Sequence, residues 1–291
     1  MNYKTIIAAV KPYTKLSHNH KSYLISNTIP HSATKIMVNI DDSTYKAVVA
    51  LNNSGVTLLQ HQRYMEGLLT FKDALILMKN SFQGDDAPSA TATSSSLQQH
   101  QVNVALQGAW HRTSRMHEDK TISQKADIVV ITDHDNPFEV YKALEANRGT
   151  FCCIKIDAVE WESCCPDSER FNIESSIIMY NYGIAHLLLS CLSPTTGSVS
   201  ATWHTQTSYH LFELAYSVID MHLMASHEFS VPSNVLLVSM LTSTCLYQLS
   251  IVAHHDLQSA TNLTCLEWII STIITQERLY PNVSPCAAAC A

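Results

Sequence analysis

The chain has 291 residues, of which 46% are hydrophobic and 15% charged, and its formal net charge is −7. The hydrophobic content is enough for a core, whereas the low charge content, below the roughly 25% usual in soluble domains, leaves uncharged polar residues to cover the surface. The negative charge and the lack of a basic stripe with interleaved aromatic residues argue against nucleic-acid binding as the main role.

The first 30 residues hold four lysines around a short apolar run, Thr5 to Val10, that is too brief and too mixed for the core of a secretion signal. No arginine accompanies these lysines, which also argues against a transit peptide. We therefore expect residues 1–30 to form a partly ordered segment and the protein to be cytoplasmic.

Residues 31–82 are predicted to form a helical hairpin. The run Asp41 to Thr44 offers N-caps for its first helix, in which Leu51, Leu58 and Leu59 form an apolar stripe near helical spacing. Gly55 lies inside this helix, where glycine costs about 1 kcal/mol relative to alanine, and such a cost usually has a packing reason.

The second helix of the hairpin carries Gly67, twelve residues after Gly55, and then Phe71. We expect the two glycines to mark the closest contact between the helices and Phe71 to fill the wedge beside it. The other packing positions assigned to this hairpin are Leu51, Tyr64 and Ala74.

Residues 83–125 are predicted to be a disordered or low-complexity insertion. Their first half, QGDDAPSATATSSSLQQHQ, consists of small and polar residues that bury too little apolar surface to offset the entropy cost of ordering. Residues 103–125 remain polar and give no assignable pattern. We expect the insertion to act as a mobile tether.

Residues 126–170 are predicted to form a connector with one short helix and one extended segment. The run Ile128 to Ile131 is typical of a short buried strand or of a helix start. Asn136-Pro-Phe-Glu139 fits an N-cap, a proline at the first helical position and a capping-box acid, so we expect a helix from Pro137 to about Asn147. The β-branched and aromatic residues from Thr150 to Asp157 favour extended backbone.

Residues 171–276 are predicted to hold a second hairpin that repeats the first. Met179, Tyr182, Gly183 and His186 take the first-helix positions, and Ser208, Phe212 and Ala215 take the second-helix positions. The separation from Gly183 to Ser208 is 25 residues, against 12 in the first copy, so we expect a longer loop at roughly residues 193–205.

The C-terminal part of residues 171–276 is predicted to be a third, degenerate hairpin, followed by a flexible tail at residues 277–291. Its first helix, Asn234 to Ala253, has twenty uncharged residues, which is long enough to span a bilayer. Its serine and threonine content and the absence of close lysine or arginine flanks favour a buried helix instead, so we expect no membrane span. Asp256 to Gln276 forms the last helix.

The order of these parts resembles the tetratricopeptide repeat (TPR), whose pattern is W-x2-L-G-x2-Y followed by A-x3-F in a helix-turn-helix unit of about 34 residues. Gly55 and Phe71 match that pattern by identity, and Leu51, Ser54, Leu58 and Gly67 match it by position. The closing proline is missing, and the separation of Gly55 from Gly183 is not a whole number of repeats. An ordinary antiparallel helix pair in an unrelated bundle is the alternative.

This resemblance implies an all-α fold, a short TPR-like α-solenoid of antiparallel helix pairs interrupted by the polar insertion and the extended segment. It also implies a concave groove lined by first-helix residues: Asn52, Val56, Leu59 and Gln60 in the first copy, and Tyr180, Ile184, Leu187 and Leu188 in the second. A bare apolar groove is a liability in a monomer. We expect the segment Phe151 to Asp157, or a neighbouring helix, to cover much of it, and otherwise a partner to fill it.

No metal or cofactor site is predicted. The adjacent pairs Cys152-Cys153 and Cys164-Cys165 lack the separation that a structural zinc site needs. Asp133-His134-Asp135 and His254-His255-Asp256 are the best local candidates for a divalent ion, but adjacent side chains point in different directions and neither has a matching partner motif.

The sequence contains no glycine-rich phosphate loop, nucleophile elbow or zinc-protease motif. We therefore expect a protein-interaction or scaffold module that binds a protein or peptide, rather than an enzyme. The alternative is an enzyme whose site is assembled from dispersed histidines and carboxylates.

Overall fold

The structure is a computed structural model that describes residues 42–82, 93–115, 127–147, 150–157, 167–192, 199–225, 231–253 and 256–279. The predicted segment 1–30 lies outside these ranges, as do residues 83–92 and 116–125 of the predicted insertion and residues 280–291 of the predicted tail. Residues 277–279, predicted as the start of that flexible tail, belong instead to the last helix, which ends at Leu279.

The described part of the chain is mostly helical, with eight helices and one small parallel sheet. The elements in chain order are α1 (Asp42–Gln60), α2 (Tyr64–Phe82), α3 (Thr93–Ser114), β1 (Ile128–Thr132), α4 (Pro137–Ala146), β2 (Phe151–Lys155), α5 (Asp167–Leu192), α6 (Val199–Ala225), α7 (Ser233–Val252) and α8 (Asp256–Leu279). The sheet is the one departure from an all-α architecture.

Helices α1 and α2 form the first hairpin, joined by three residues. The amide of Arg63 donates to the carbonyl of Leu58, and the amide of Gln62 donates to that of Leu59, which is the hydrogen-bond pattern of a Schellman cap. Gln62 has a φ of 65° at the position where glycine is usual. This tight cap turns the chain directly into α2.

The closest approach of α1 to α2 is at Gly55. A Cβ added to Gly55 would lie 2.6 Å from Cε1 of Phe71, whose side chain is wholly buried. A Cβ added to Gly67 would lie 2.8 Å from Cδ2 of Leu59 and 3.2 Å from the carbonyl oxygen of Gly55. Only glycine therefore fits at both positions without movement of a buried side chain.

The second hairpin, α5 and α6, repeats this crossing. A Cβ added to Gly183 would lie 2.6 Å from Cε1 of Phe212, and the Ser208 hydroxyl donates to the carbonyl oxygen of Gly183 at 2.8 Å. Gly183, Ser208 and Phe212 thus stand where Gly55, Gly67 and Phe71 stand in the first hairpin. Leu51, Tyr64, Ala74 and Ala215, the other predicted packing residues, are also buried.

Successive helix pairs are in contact with one another. Helix α2 packs against α5, α6 packs against α7, and α7 packs against α8. Buried residues of all these helices belong to one hydrophobic core. The domain boundary predicted between residues 170 and 171 falls inside α5, which begins at Asp167.

Much of the longer spacing in the second hairpin is helix rather than loop, and residues 193–198 of the predicted loop lie outside the described ranges. Helix α5 continues to Leu192 and α6 begins at Val199, so residues 199–205, which we predict as loop, form the first two turns of α6. The polar Ser and Thr residues there suggested a turn, but Ala201 is buried against the core side of the helix. Each helix of this hairpin is longer than its counterpart in the first.

Helix α3 replaces the disorder that composition predicts for residues 93–114. Its apolar stripe is short, with Val102 and Ala109 buried against α1 and α2. Polar contacts add to it: Arg112 pairs with Asp73 at 2.5 Å and donates to the Thr70 hydroxyl at 2.9 Å. Tertiary packing thus orders a segment that has little hydrophobicity of its own.

The predicted extended segment and short helix are parts of one β1-α4-β2 unit. The strands are parallel, with Ile128 opposite Phe151 and Thr132 opposite Lys155. Helix α4 begins as predicted, with proline at its first position and the Asn136 side chain accepting from the amide of Phe138 at 2.8 Å. The unit contacts α1 and α5 through its strands, and α7 and α8 through α4.

Two described helical segments, Arg170–Leu192 and Ser233–Val252, have the length and apolar composition of membrane spans. The second coincides with the span considered above at residues 234–253. In each, 67% of the most apolar window is buried inside the protein.

Candidate interaction site

The two strands of the sheet each have one outer edge, and the two edges differ. The amide of Phe151 donates to the carbonyl of Asp127, and the amide of Asp133 donates to that of Lys155. In a parallel ladder with this register, odd-numbered residues of both strands bond to each other, so the even-numbered residues turn their peptide groups outward. Those residues are 128, 130 and 132 in β1, and 152, 154 and 156 in or just after β2.

Asparagine side chains satisfy the outward peptide groups of Ile154 and Ile156 at the outer edge of β2. Asn181 of α5 accepts from the amide of Ile154 at 3.0 Å and donates to its carbonyl at 2.7 Å. Asn53 of α1 accepts from the amide of Ile156 at 2.9 Å and donates to its carbonyl at 2.8 Å. Each amide side chain therefore takes the place that a peptide group of a third strand would occupy.

These two asparagines occupy the same position of the two hairpins, two residues before Gly55 and Gly183 respectively. The preceding residues are also equivalent: Asn52 donates to the carbonyl of Ile154 at 3.1 Å, and the Tyr180 hydroxyl donates to that of Cys152 at 3.0 Å. Asn181 further donates to Asn52 at 2.9 Å, which links α5 to α1. Equivalent positions of the two hairpins thus bind successive outward-facing residues of one strand.

Most of the predicted groove residues are buried and do not form the surface of an open apolar groove. Gln60 is exposed, and the other seven residues, Asn52, Val56, Leu59, Tyr180, Ile184, Leu187 and Leu188, are buried. Leu59 lies against Gly67 in the hairpin interior, not on a concave face. Asn52 and Tyr180 contact β2, so part of the chain itself covers this surface.

Within the described ranges, no side chain covers the outer edge of β1 in this way. Ile128 and Val130 are only partly buried, and Val129 between them is 41% exposed. The amide of Thr132 is satisfied locally by the Asp135 carboxylate at 2.7 Å. No residue in the described part of the chain bonds to the outward peptide groups of Ile128 and Val130.

A cavity of about 390 Å³ lies between β1 and α4. Its walls are mainly apolar and include Val129, Ile131, Val140 and Cys152. Polar side chains also line it, among them those of Asp135, Asn136 and Glu139. Because Val129 is exposed and also lines the cavity, the cavity opens beside the free edge of β1.

Two buried carboxylates lie outside the cavity, Asp133 directly after β1 and Glu174 in α5. Asp133 accepts from the amide of Asp157 at 2.9 Å, and Glu174 accepts from the Tyr45 hydroxyl at 2.5 Å and pairs with Arg170 at 3.2 Å. Burial raises the pKa of Asp133, and it raises the pKa of Glu174 to about 7. One oxygen of each carboxylate has no hydrogen-bond partner among the residues that the structure describes.

Two histidines meet between α5 and α6. The Nδ1 atoms of His186 and His204 are 2.9 Å apart, so one donates and the other accepts. The rings of Tyr182 and Trp203 contact His186 edge-on. Burial, with a smaller contribution from His204, lowers the pKa of His186 to about 4.

Replacing His186 by glutamine is expected to make the protein less sensitive to acid. The folded state holds the imidazole neutral, so its contribution is complete above pH 6.5 and is lost as the pH falls toward about 4. We expect wild type to lose stability relative to His186→Gln by an amount on the order of 1 kcal/mol between pH 7 and pH 5. Chemical unfolding at several pH values measures this difference.

Glu174→Gln is the matched control, because its effect has the opposite sign. The raised pKa means that folding favours the protonated acid, so wild type loses stability as the pH rises from 4.5 to about 7. A difference between wild type and His186→Gln that stays constant from pH 7 to pH 4 would contradict the buried neutral state of His186.

Those sequence candidates for metal binding that the structure describes are not brought together into a site. In the described ranges no group of three or more histidine, cysteine, aspartate or glutamate side chains is arranged to hold an ion. His254 and His255 lie outside those ranges. The asparagines that bind β2 escaped prediction, although Asn52-Asn53 and Asn181 stand out as polar residues within apolar helix segments, where a buried partner is expected.

Comparison of the chain with protein-family models, with curated proteins and with solved structures gave no match.

Proposed function

We propose that the chain is a protein-protein interaction module of TPR-like type, in which stacked helix pairs hold the β1-α4-β2 unit and present it to a partner protein. The order of helix contacts, with α2 on α5 and α6 on α7, supports such stacking. The equivalent crossings at Gly55 and Gly183 support a common origin of the first two pairs.

The observation that carries this proposal is the difference between the two edges of the small sheet. Both hairpins bind β2 through equivalent side chains, and Ile154 and Ile156 are buried, so β2 is a fixed part of the core. The edge of β1 stays partly exposed beside a cavity. Unpaired strand edges are natural sites for association with another chain.

An enzyme built from dispersed acids has less support. Asp133 and Glu174 are the closest arrangement to such a site, but their side chains are 0% and 1% exposed. Neither lines the described cavity, so a substrate has no access to them there. Glu174, with Tyr45 and Arg170, forms a network that ties α1 to α5.

Quantitative affinity capture with three forms of the full chain tests the proposal. Val129→Ser combined with Glu139→Ala alters the presented unit, and Leu214→Ser combined with Met221→Ser alters exposed positions on α6 as a control. We expect a set of proteins recovered by wild type and by the control, and reduced about tenfold by the first variant. Equal recovery by both variants, or no protein above the bare-resin background, would refute the proposed role of the unit.

A further inference from the structure

We propose that the free edge of β1 and the adjoining cavity bind an extended segment of a partner protein, with a lysine or arginine of that segment entering the cavity. This inference rests on the proposed function and names the chemistry of the partner. It concerns main-chain recognition at a strand edge, with one side-chain pocket for specificity.

The outer edge of β1 has main-chain groups that can pair with an added strand. Ile128 and Val130 each turn an N–H and a carbonyl outward, and the local bond from Thr132 to Asp135 closes the edge at its end. An added strand would pair with these four groups. At the opposite edge of the sheet, side chains bind both outward groups of Ile154 and of Ile156, whereas those of Ile128 and Val130 have no partner in the described part of the chain, so the edge of β1 is the position left for another chain.

The cavity can hold one side chain of the added strand. On an added strand, the residue opposite Val129 points to the same face of the sheet as Val129, which lines the cavity. The apolar walls formed by Ile131, Val140 and Cys152 suit the methylene stem of a long side chain. Its charged end would reach the polar rim.

Charge decides which long side chain fits. The segment from residue 127 to 147 contains five acidic residues and one lysine, and two of the acids, Asp135 and Glu139, line the cavity. Lys142 pairs with Glu139 at 2.6 Å, but both side chains are about half exposed or more, so this pair is weak and exchangeable. A basic side chain is therefore favoured over an acidic one.

A second copy of this chain is the alternative occupant. Because Asp135 closes the edge at Thr132, antiparallel pairing of two β1 strands through Ile128 and Val130 would be centred on Val129 and would place Val129 of one copy opposite Val129 of the other. A valine brings no basic group to Asp135 and Glu139, so the acidic rim of the cavity favours a basic segment of a partner protein.

A defined peptide tests the inference on the full chain. The probe is an acetylated, amidated heptapeptide, Thr-Val-Thr-Lys-Thr-Val-Thr, compared with versions carrying norleucine or glutamate at the centre and with one N-methylated on its threonines. We expect binding of the lysine peptide, about three- to tenfold weaker binding of the norleucine peptide, and loss of binding on N-methylation. Hydrogen exchange of residues 127–132 should slow when the lysine peptide is bound.

Two variants locate the contact. Val130→Pro removes an outward N–H without touching the bonds between β1 and β2, and should weaken binding about tenfold, whereas Val130→Thr keeps the N–H and should bind like wild type. Glu139→Gln should remove most of the preference for lysine over norleucine. Should Val130→Pro fail to fold, the N-methylated peptide gives the same information with wild-type protein.

Other outcomes overturn the inference. These are no binding of the lysine peptide at about 1 mM, equal binding of the N-methylated peptide, or an unchanged exchange rate at β1. A dimer that Val130→Pro dissociates would assign the edge to a second copy instead. If affinity capture recovers partners while the lysine peptide does not bind, the interaction role is supported and the site at β1 is refuted. If the peptide binds while capture recovers no partner, the site is supported and the proposed function is refuted.

Discussion

Replacing Gly183 by alanine is expected to lower the free energy of unfolding by about 1–2 kcal/mol, although alanine is the better helix former. The added methyl group would lie 2.6 Å from Cε1 of Phe212, which is wholly buried and packs on Tyr180 with ring centroids 5.7 Å apart. Overpacking a core of this kind costs about 1–3 kcal/mol, whereas helix propensity returns about 1 kcal/mol. Denaturant unfolding monitored by circular dichroism measures the difference.

The chain offers a matched control for this substitution. Gly108 also lies inside a helix, α3, but a Cβ added there has no neighbour closer than 3.5 Å, in the side chain of Arg112. Gly108→Ala should therefore stabilise the protein by up to about 1 kcal/mol. Gly55→Ala should behave like Gly183→Ala, and Phe212→Leu should restore part of the stability lost in Gly183→Ala. Equal effects at Gly108 and Gly183 would show that the close contact has no energetic consequence.

Replacing Asn181 by alanine should destabilise the protein more, by about 3 kcal/mol. The change leaves the buried amide of Ile154 without an acceptor and removes a donor from Asn52, and each unsatisfied buried group costs about 1–3 kcal/mol. Hydrogen exchange of the Ile154 amide should accelerate together with the loss of global stability measured by urea unfolding.

Asn53→Ala is the comparison for Asn181→Ala, because Asn53 makes the same pair of bonds to Ile156 from a position that is only partly buried. Water can replace part of its contribution, so we expect a loss of about 1–2 kcal/mol. If the two substitutions cost the same, or if Asn181→Ala leaves stability unchanged, the amide contacts along β2 do not hold the strand in place.

The two hairpins could be predicted from local sequence patterns. In each, a glycine inside an amphipathic helix and a phenylalanine in the next helix mark the same close contact between the two helices. The start of α4 was also predictable, because an N-cap residue and a proline at the first helical position define a helix start within four consecutive residues. Composition misled at α3, whose few buried residues gain their stability from α1 and α2 rather than from their own hydrophobicity.

The candidate site was largely beyond sequence reasoning. The pairing of β1 with β2 depends on where α4 returns the chain, and no local pattern states that the two runs are neighbours in one sheet. Asn53 lies 103 residues from Ile156 along the chain, and an asparagine in a helix gives no sign of which backbone it will bind. The open edge of β1 follows from that pairing and was equally hidden.

The amide bonds along β2 bear on how the molecule unfolds. In repeat proteins each unit usually contacts only its neighbours, so stretches at one end melt while the remainder persists. Here a strand from the middle of the chain is secured by α1 from one side of the sequence and by α5 from the other. Loss of either helix deprives the strand of its partners, so these two helix pairs should melt in a single cooperative transition, and neither should survive as an isolated fragment.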